Sequence, residues 1–497
     1  MKFVAESRLF ELNLGPSIVE ILRVSGAAGA SIGILDGRTG EKHFAGFGSR
    51  NLSDPADPTA DEHTVYHLAS LSKSFTASAI GLLVSDGKLS FQDRMCDVLP
   101  GFHHVDDAIS TKSTVLDFLS HRTGLAGENA LWEQNGHELL LSENDTLPMV
   151  TYLEAFEPLG ERWTCNNFGY DIMANVISHA SGASWGDFVT KRIIEPRATR
   201  NDYCSLSRAR QQGSRLHARA YWGIDRSNAV KSTISDLLVY YKAVLDAWRS
   251  ETGSDAIPKE ASHLKNITEL LTPHIPLEPD SKNQWYGAGW AIAELPAPLG
   301  SIGTNGMFVP DMPLVCRRSK TEEESGEGEK KGPTLWYHNG SLVGFFSSVH
   351  ILPEDGIIIV VLVNSIPKSD AADWIGQPIV QEQLGCANKN DYVALAKSSA
   401  KAYDNMWTQL SKDVVEARAR SAPAKHTHRL SAYAGRYKAI ASSWRWPDLD
   451  VATYLFHFGT DGGHGIATLR WVHDPDVPEG ETFAKLPDTD GRTHREP

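Results

Sequence analysis

Strand patterns lie toward both ends of the first 385 residues, and a mainly helical stretch separates them. The apolar-rich runs 28–36 and 42–48 join through a Gly-Arg-Thr-Gly turn, which predicts a β-hairpin. Residues 371–384 predict a helix that packs on a later sheet, whereas the middle, from about 90 to 280, is helical and loop-like. The strand patterns of that later sheet lie at 335–338, 345–352 and 356–364. The chain is therefore predicted to combine sheet and helix.

The length of 497 residues allows more than one domain, and 41% hydrophobic with 22% charged residues is typical of a globular protein. We predict a first domain over 1–386, a helical linker over 387–424 and a small β-rich module over 425–497. The linker contains an amphipathic helix candidate at 392–420. The acidic, glycine-rich segment 317–333 cannot bury apolar surface, which favours a disordered insertion over a partner-docking tail.

Charge and cysteine usage argue against several functional classes. The net charge of -14 disfavours a nucleic-acid binder, which needs a basic face. The longest apolar run, 357–363, is too short to span a membrane, and the N-terminus lacks a signal-peptide core, so we expect a cytoplasmic protein. Five scattered cysteines without a Cys-x-x-Cys pair indicate neither a disulfide framework nor a zinc site. There is no P-loop, no dinucleotide motif and no His-Glu-x-x-His pattern, so we predict no cofactor and no metal.

Five Ser-x-x-Lys pairs occur in the chain, and one of them has the context of a catalytic dyad. Ser70 and Lys73 lie at the predicted start of a helix, after the strand-like segment 64–68. Residues three apart share a helix face, so the Lys73 amine can reach the Ser70 hydroxyl and take its proton. Of the other pairs, the one that begins at Ser85 lies at a helix end, and the one that begins at Ser365 contains a proline. The pairs that begin at Ser262 and Ser398 have no companion motif.

Two further segments accompany Ser70 and Lys73. Residues 163–170 read WTCNNFGY, and residues 336–341 read WYHNGS at the end of a predicted strand. Together they resemble the three signature elements of the serine β-lactamase and penicillin-binding-protein superfamily. The resemblance is closest to its class C, esterase and acyltransferase branch, where the second element is Tyr-x-Asn and the third is often His-x-Gly. It covers roughly 15–385, with shorter matching segments in the same order at 87–90, 119–125, 232–237 and 286–290.

The resemblance implies a fold and a set of catalytic roles. The fold would be α/β (α+β), with an antiparallel β-sheet flanked by helices, an all-helical subdomain and a cleft between them. Ser70 would be the acyl-accepting nucleophile and Lys73 its base or proton relay. Asn167 would position the carbonyl side of the substrate and hold Lys73. His338 would take the place of the third-motif cation and help proton transfer or binding, the alternative being a hydrogen-bonded core histidine on a strand.

The resemblance also implies how the carbonyl oxygen would be bound. The backbone N–H groups of Ser70 and Ser341 would form an oxyanion hole, where one donor is typically worth about 10²–10³ in rate. The Ser70 N–H is predicted to be one of the donors exposed at a helix N-terminus. Asn339 and Gly340 lie between His338 and Ser341 and would contact the substrate.

One position departs from the family pattern. The tyrosine of Tyr-x-Asn should stand two residues before Asn167, where this chain has Cys165. A thiol can also ionise, and a neighbouring ammonium would lower its pKa. Three hypotheses follow: Cys165 replaces the tyrosine as acid and base, Lys73 works alone with water or His338, or hydrolysis is impaired. The alternative without a catalytic role is that Cys165 fills a small buried gap.

The C-terminal region has its own resemblance. Segments 433–437 (YAGRY) and 482–485 (TFAK) resemble a shortened form of the lipocalin-like module that follows the catalytic domain in some family members. Too few strand patterns remain for a full barrel of about eight strands, so we expect an incomplete sheet.

These features predict a serine hydrolase or acyltransferase with an acyl-Ser70 intermediate. The expected partner is a small-molecule acyl substrate, namely an ester, amide, lactone or thioester from secondary metabolism, with no nucleic acid and no membrane. A homo-oligomer stays open. Two rival functions also stay open: a non-hydrolytic cyclase or isomerase that uses Cys165, and a catalytically silent binding or scaffold protein.

Overall fold

The computed structural model describes residues 14–51, 59–127, 146–197, 230–253, 262–316, 332–342, 344–365, 368–420, 437–439 and 483–485. In these ranges the strands are β1 (Gly29–Asp36), β2 (Lys42–Gly48), β3 (Tyr66–His67), β4 (Lys231–Ser232), β5 (Ile275–Pro276), β6 (Gln284–Tyr286), β7 (Ala291–Glu294), β8 (Ala297–Pro298), β9 (Leu314–Val315), β10 (Thr334–Leu342), β11 (Gly344–Leu352), β12 (Ile357–Ser365), β13 (Tyr437–Ala439) and β14 (Phe483–Lys485).

The α-helices of the same ranges are α1 (Gly15–Ser25), α2 (Ser72–Ser85), α3 (Met95–Val98), α4 (Asp107–Lys112), α5 (Val115–Leu119), α6 (Thr146–Tyr152), α7 (Asn167–Ser181), α8 (Trp185–Val189), α9 (Ile234–Thr252), α10 (Ile267–Leu270), α11 (Thr304–Phe308), α12 (Ala371–Gln383) and α13 (Tyr392–Arg420). A 3₁₀ turn, Ala69–Leu71, precedes α2 directly. The predicted hairpin, the three later strands and the helix after them are confirmed, with small differences at their ends.

One antiparallel sheet joins the two ends of the first 385 residues. Eight of the described strands form it, in the order β2-β1-β12-β11-β10-β7-β6-β5. The N-terminal hairpin enters this sheet because β1 pairs with β12, placing Gly29 opposite Asn364. Strand β12 is a continuous apolar run, as expected for a central strand covered on both faces. The predicted fold class is confirmed.

Helices cover both faces of the sheet and divide the core in two. One apolar cluster contains α1, α12 and the start of α13, together with β12 side chains such as Ile359 and Val361. The other contains α2, α7 and α9, together with the alternate β12 side chains Ile358 and Val360. Because successive side chains of β12 point to opposite faces of the sheet, this strand contributes to both apolar clusters. The helices of 95–189 extend the second cluster away from the sheet and form the predicted helical part.

Helix α13 spans the segment that the sequence predicts as an amphipathic linker helix. It packs on α1 and α12, with Ala396 and Ser399 fully buried. The Trp374 indole donates a hydrogen bond to the Ser399 hydroxyl at 3.0 Å. The first turns of this helix are therefore docked on the helices that cover the sheet, and the domain boundaries stay a prediction.

The cysteine prediction requires a correction. Cys316, after β9, and Cys386, after α12, form a disulfide across a sequence separation of 70 residues, with 5.2 Å between their Cα atoms. Spacing could not indicate this pair because the fold brings the two segments together. Cys96 and Cys165 are free thiols, and Cys204 lies outside the described residues.

Two other predictions concern segments that the structure describes little or not at all. The segment 317–331 lies outside the described residues. In the C-terminal region only β13 and β14 are described; they pair antiparallel, with Lys438 opposite Ala484. Within the described part of the chain, no helix combines the length and apolar character needed to cross a membrane.

Candidate active site

Ser70 lies in the middle of the 3₁₀ turn that leads into α2. The residue before it, Ala69, adopts a left-handed conformation with φ 48°, which is strained for a residue with a Cβ. Two contacts hold the start of this turn: the Leu68 amide donates to the Val230 carbonyl at 3.0 Å, and the Ser347 hydroxyl donates to the Leu68 carbonyl at 2.7 Å. The Ser70 side chain is half-buried.

Lys73 joins α2 to α7 through its amine. The Nζ atom donates to Ser70 Oγ at 2.7 Å and to Asn167 Oδ1 at 2.7 Å. The side chain is fully buried, and Nζ lies 5.5 Å from the centre of the Tyr170 ring. The structure thus brings together Ser70, Lys73 and Asn167, residues from the first two motifs.

Asn166, which the sequence interpretation passed over, positions Asn167. Its side chain caps α7 by accepting from the Gly169 amide at 2.9 Å, and its Nδ2 donates to the Ala126 carbonyl at 2.6 Å. Its backbone N–H donates to His121 Nδ1 at 3.1 Å. An asparagine directly before an apolar helical run is an N-cap signal, so the sequence could have indicated this residue.

Gly340 allows β10 to approach the Ser70 turn closely. A Cβ on Gly340 would lie 2.5 Å from the Leu68 carbonyl oxygen, 3.1 Å from Ala69 Cβ and 2.2 Å from Ser347 Oγ. No side chain fits there, because real Cβ atoms do not approach backbone atoms so closely. The next residue, Ser341, is exposed at the end of the strand.

Asn339 is placed differently from its prediction. Neighbouring side chains on a strand point to opposite faces, so Asn339 points away from His338. Its side chain is 5% exposed and packs against Gly303. Its amide lies near Asp370 and Asp373 without a hydrogen bond of good geometry. The structure therefore does not bring this side chain to Ser70 and Lys73.

His338 lies on the side of β10 that faces Lys73, and both its ring nitrogens have partners. Nδ1 lies 2.7 Å from the Asn339 carbonyl oxygen, and Nε2 lies 2.9 Å from the Tyr286 hydroxyl. Burial and the nearby Lys73 amine lower the pKa of His338 to about 3, although the Asn339 carbonyl opposes this shift. The imidazole is therefore neutral at neutral pH and does not supply the third-motif cation.

Cys165 is exposed to solvent on one side and surrounded by protein on the others. Burial raises the pKa of the thiol, and the Lys73 amine opposes this without reversing it. The expected lowering of the thiol pKa by a neighbouring ammonium is present, but desolvation by the surrounding protein is the larger effect, so the pKa is raised overall. A neutral thiol is a poor nucleophile and a poor base.

The sequence did not indicate a role for three aromatic side chains near Cys165, namely His121, Tyr170 and Tyr286. The rings of Tyr170 and Tyr286 lie 5.0 Å and 5.2 Å from the His121 ring. Burial raises the pKa of both phenols, and the charge of an ionised Cys165 adds to the increase. Tyr170 donates to the Leu119 carbonyl at 2.6 Å. Tyr286 and His121 belong to segments that the sequence interpretation used only as family markers.

Solved structures show the class of fold. The chain is similar to an octameric penicillin-binding protein homologue from Pyrococcus abyssi, with a TM-score of 0.56 and 23% identity over 76% of this chain and 77% of that one. A β-lactamase/D-alanine carboxypeptidase from Yersinia pestis gives a TM-score of 0.54 and 17% identity, over 75% of this chain and 99% of that one. The architecture is that of β-lactamases and penicillin-binding proteins.

A family model described as Beta-lactamase matches residues 19–381, more than half of the chain. The chain therefore belongs to the β-lactamase family, whose members are generally serine hydrolases. It is 33% identical to penicillin-binding protein 4* of Bacillus subtilis over 138 residues, which are 27% of this chain and 29% of that protein. It is 23% identical to an unguisins hydrolase of Aspergillus campestris over 353 residues, 69% of this chain and 60% of that protein. These alignments span less than two thirds of each relative.

Proposed function

We propose that this protein is a serine hydrolase or acyltransferase that forms an acyl-Ser70 intermediate on a small ester, amide, lactone or thioester. The observation that carries the proposal is the position of Lys73 Nζ, 2.7 Å from both Ser70 Oγ and Asn167 Oδ1. A buried amine at hydrogen-bond distance from a serine hydroxyl is the arrangement that nucleophilic catalysis requires.

Each proton has a defined route in this mechanism. In its neutral form, Lys73 takes the Ser70 proton as Oγ bonds to the substrate carbonyl carbon. The bond to the leaving alcohol, amine or thiol then breaks, and that group takes the proton from Lys73. In the second half, water or another acceptor gives a proton to Lys73 as it attacks the acyl carbon. The acyl–Oγ bond breaks and Ser70 regains its proton from Lys73.

The remaining roles follow from position. Gly340 brings the end of β10 against the Ser70 turn, which supports an oxyanion hole from the Ser70 and Ser341 amides. A relative whose name describes hydrolysis of unguisins supports a hydrolytic reaction and a secondary metabolite as substrate. The raised thiol pKa weighs against a cyclase or isomerase that uses a Cys165 thiolate.

Covalent labelling tests the proposal. The protein is incubated with a fluorophosphonate or with 4-nitrophenyl acetate, and the adduct is found by intact mass and peptide mapping. We expect one adduct on Ser70, absent in Ser70→Ala. Ser262→Ala is the matched control, because Ser262 also begins a Ser-x-x-Lys pair, but its Lys265 amine donates to the Ser262 backbone carbonyl at 3.1 Å.

The outcomes separate the three functions. A Ser70 adduct that is retained in Ser262→Ala supports the acyl-enzyme. Labelling at Cys165 favours the cyclase or isomerase. No adduct from any activated donor overturns the proposal and favours a silent scaffold.

A further inference from the structure

The hydrogen bonds of His338 define where its proton lies. The Asn339 carbonyl can only accept a hydrogen bond, so Nδ1, 2.7 Å from it, carries the ring proton. In the neutral ring Nε2 is then an acceptor, and the Tyr286 hydroxyl, 2.9 Å away, donates to it. Both ring nitrogens are thus engaged by groups of the protein, and neither is left for a substrate or for Ser70.

The surroundings favour this neutral pair. Tyr286 is fully buried and His338 is 7% exposed, so a charge on either group would be poorly solvated. The titratable groups around the pair are Lys73 of α2, His121, Cys165 just before α7, and Tyr170 in its first turn. Lys73 disfavours a second positive charge on His338, and an ionised Cys165 would disfavour a negative charge on Tyr286.

We propose that Tyr286 is a positioning residue that holds His338 as the neutral Nδ1–H tautomer, so that the ring stays out of proton transfer and Lys73 carries every proton of the catalytic cycle. This inference rests on the proposed acyl-Ser70 function. It selects one of the three sequence hypotheses, in which Lys73 works without Cys165, and removes His338 from the set of proton carriers. The Tyr286 hydroxyl acts through His338.

Removing the hydroxyl should allow His338 to titrate. In Tyr286→Phe, Nε2 loses the donor that stabilises the neutral ring, so the pKa of His338 rises. Protonated His338 then adds a positive charge near Lys73, which opposes transfer of the Ser70 proton to the amine. Because the rate then falls as the ring takes up a proton, we expect the acid limb of the Ser70 acylation rate, measured with 4-nitrophenyl acetate, to begin at higher pH than in the wild type.

Two further variants isolate the cause. In Tyr286→Phe/His338→Gln no ring remains to titrate, so the acid limb should return to its wild-type position. Tyr337→Phe is the matched control: Tyr337 is the neighbouring residue on β10, is fully buried, and interacts with the Gln284 side chain at 3.3 Å on the other face of the sheet. Its acid limb should not move. An unmoved limb in Tyr286→Phe, or an equal shift in Tyr337→Phe, overturns the proposal.

A spectroscopic measurement tests the tautomer without turnover. In protein labelled with ¹⁵N-histidine, the His338 signals, assigned by their loss in His338→Gln, should show a protonated Nδ1 and an unprotonated Nε2 from pH 5 to 8. A protonated Nε2, or a His338 signal that titrates in this range, contradicts the inference. If Ser70 takes no acyl group from any donor, the proposed function fails, and this spectrum still decides the tautomer separately.

Discussion

Gly340 lies so close to Leu68 that a Cβ on the glycine would sit 2.5 Å from the Leu68 carbonyl oxygen. Leu68 begins the turn that carries Ser70, so this approach sets the distance between the proposed nucleophile and the end of β10. This close approach explains why the position holds a glycine. Unusual backbone angles do not explain it, because Gly340 is not among the glycines with positive φ.

Gly340→Ala should reduce acylation of Ser70 by at least about 100-fold, because a displacement of about 1 Å at an active site can have that effect. The rate of fluorophosphonate labelling measures it, with urea unfolding to show that the variant is folded. Gly186→Ala is the control, since a Cβ on Gly186 meets nothing within 4 Å. Labelling of Gly340→Ala at the wild-type rate would show that this approach does not position the nucleophile.

Lys73→Ala should lower the acylation rate by about 10²–10⁴, the usual contribution of a general base. Asn167→Ala should have a smaller effect, about tenfold, because it removes one hydrogen bond to the amine and leaves the base in place. Stopped-flow acylation with 4-nitrophenyl acetate gives both values. Lys265→Ala, in the other Ser-x-x-Lys pair, is the control. If Asn167→Ala were as damaging as Lys73→Ala, the amide would have a direct role in the chemistry.

The Cys165 thiol should react slowly with iodoacetamide. Its pKa is raised in the folded protein, so at pH 8 it holds less thiolate than the same residue in the unfolded chain. Peptide mapping should show slower alkylation of Cys165 in native than in urea-unfolded protein, although its side chain is exposed. The exposed Cys96 is the internal reference for access. Faster alkylation in the native state would show an activated thiol.

Acid should destabilise the protein through its buried histidines. His350 is fully buried, both its ring nitrogens are without a partner among the described residues, and burial lowers its pKa from 6.5 to about 3. Below pH 6.5 the unfolded chain binds a proton at His350 that the folded chain does not bind. The free energy of unfolding therefore falls as the pH drops from 6.5 toward about 3. At pH 5 this single group contributes about 2 kcal/mol of that loss.

His350→Phe removes this titration and keeps a ring beside Tyr337, with which His350 stacks. Urea unfolding at pH 8 and pH 5 should show a difference in free energy of unfolding that is about 2 kcal/mol smaller than in the wild type. His179→Gln, at an exposed position of α7, should keep the full difference. An unchanged pH dependence in His350→Phe would mean that His350 is protonated in the folded state.

Local patterns were sufficient for the elements and for part of the site. The hairpin of β1 and β2, the strands β10 to β12 and helix α12 follow from periodicity within a few residues. Ser70 and Lys73 lie three apart at a helix start, so their contact also follows from local geometry. The same alternation could have placed Asn339 on the far side of β10, because its neighbour His338 faces Lys73.

Tertiary structure decided the contacts between distant segments. Lys73 and Asn167 are 94 residues apart, Tyr286 and His338 are 52 apart, and Cys316 and Cys386 are separated by 70. Periodicity and spacing report only on a residue's near neighbours, so no pattern in the chain indicated the partner of His338 or the disulfide. The pKa of Cys165 was also decided by tertiary structure, because desolvation depends on every segment packed around the thiol. The sequence by itself determined the contact of Ser70 with Lys73, the proposed nucleophile and base, and the elements that carry them, whereas packing decided which groups near that pair stay neutral.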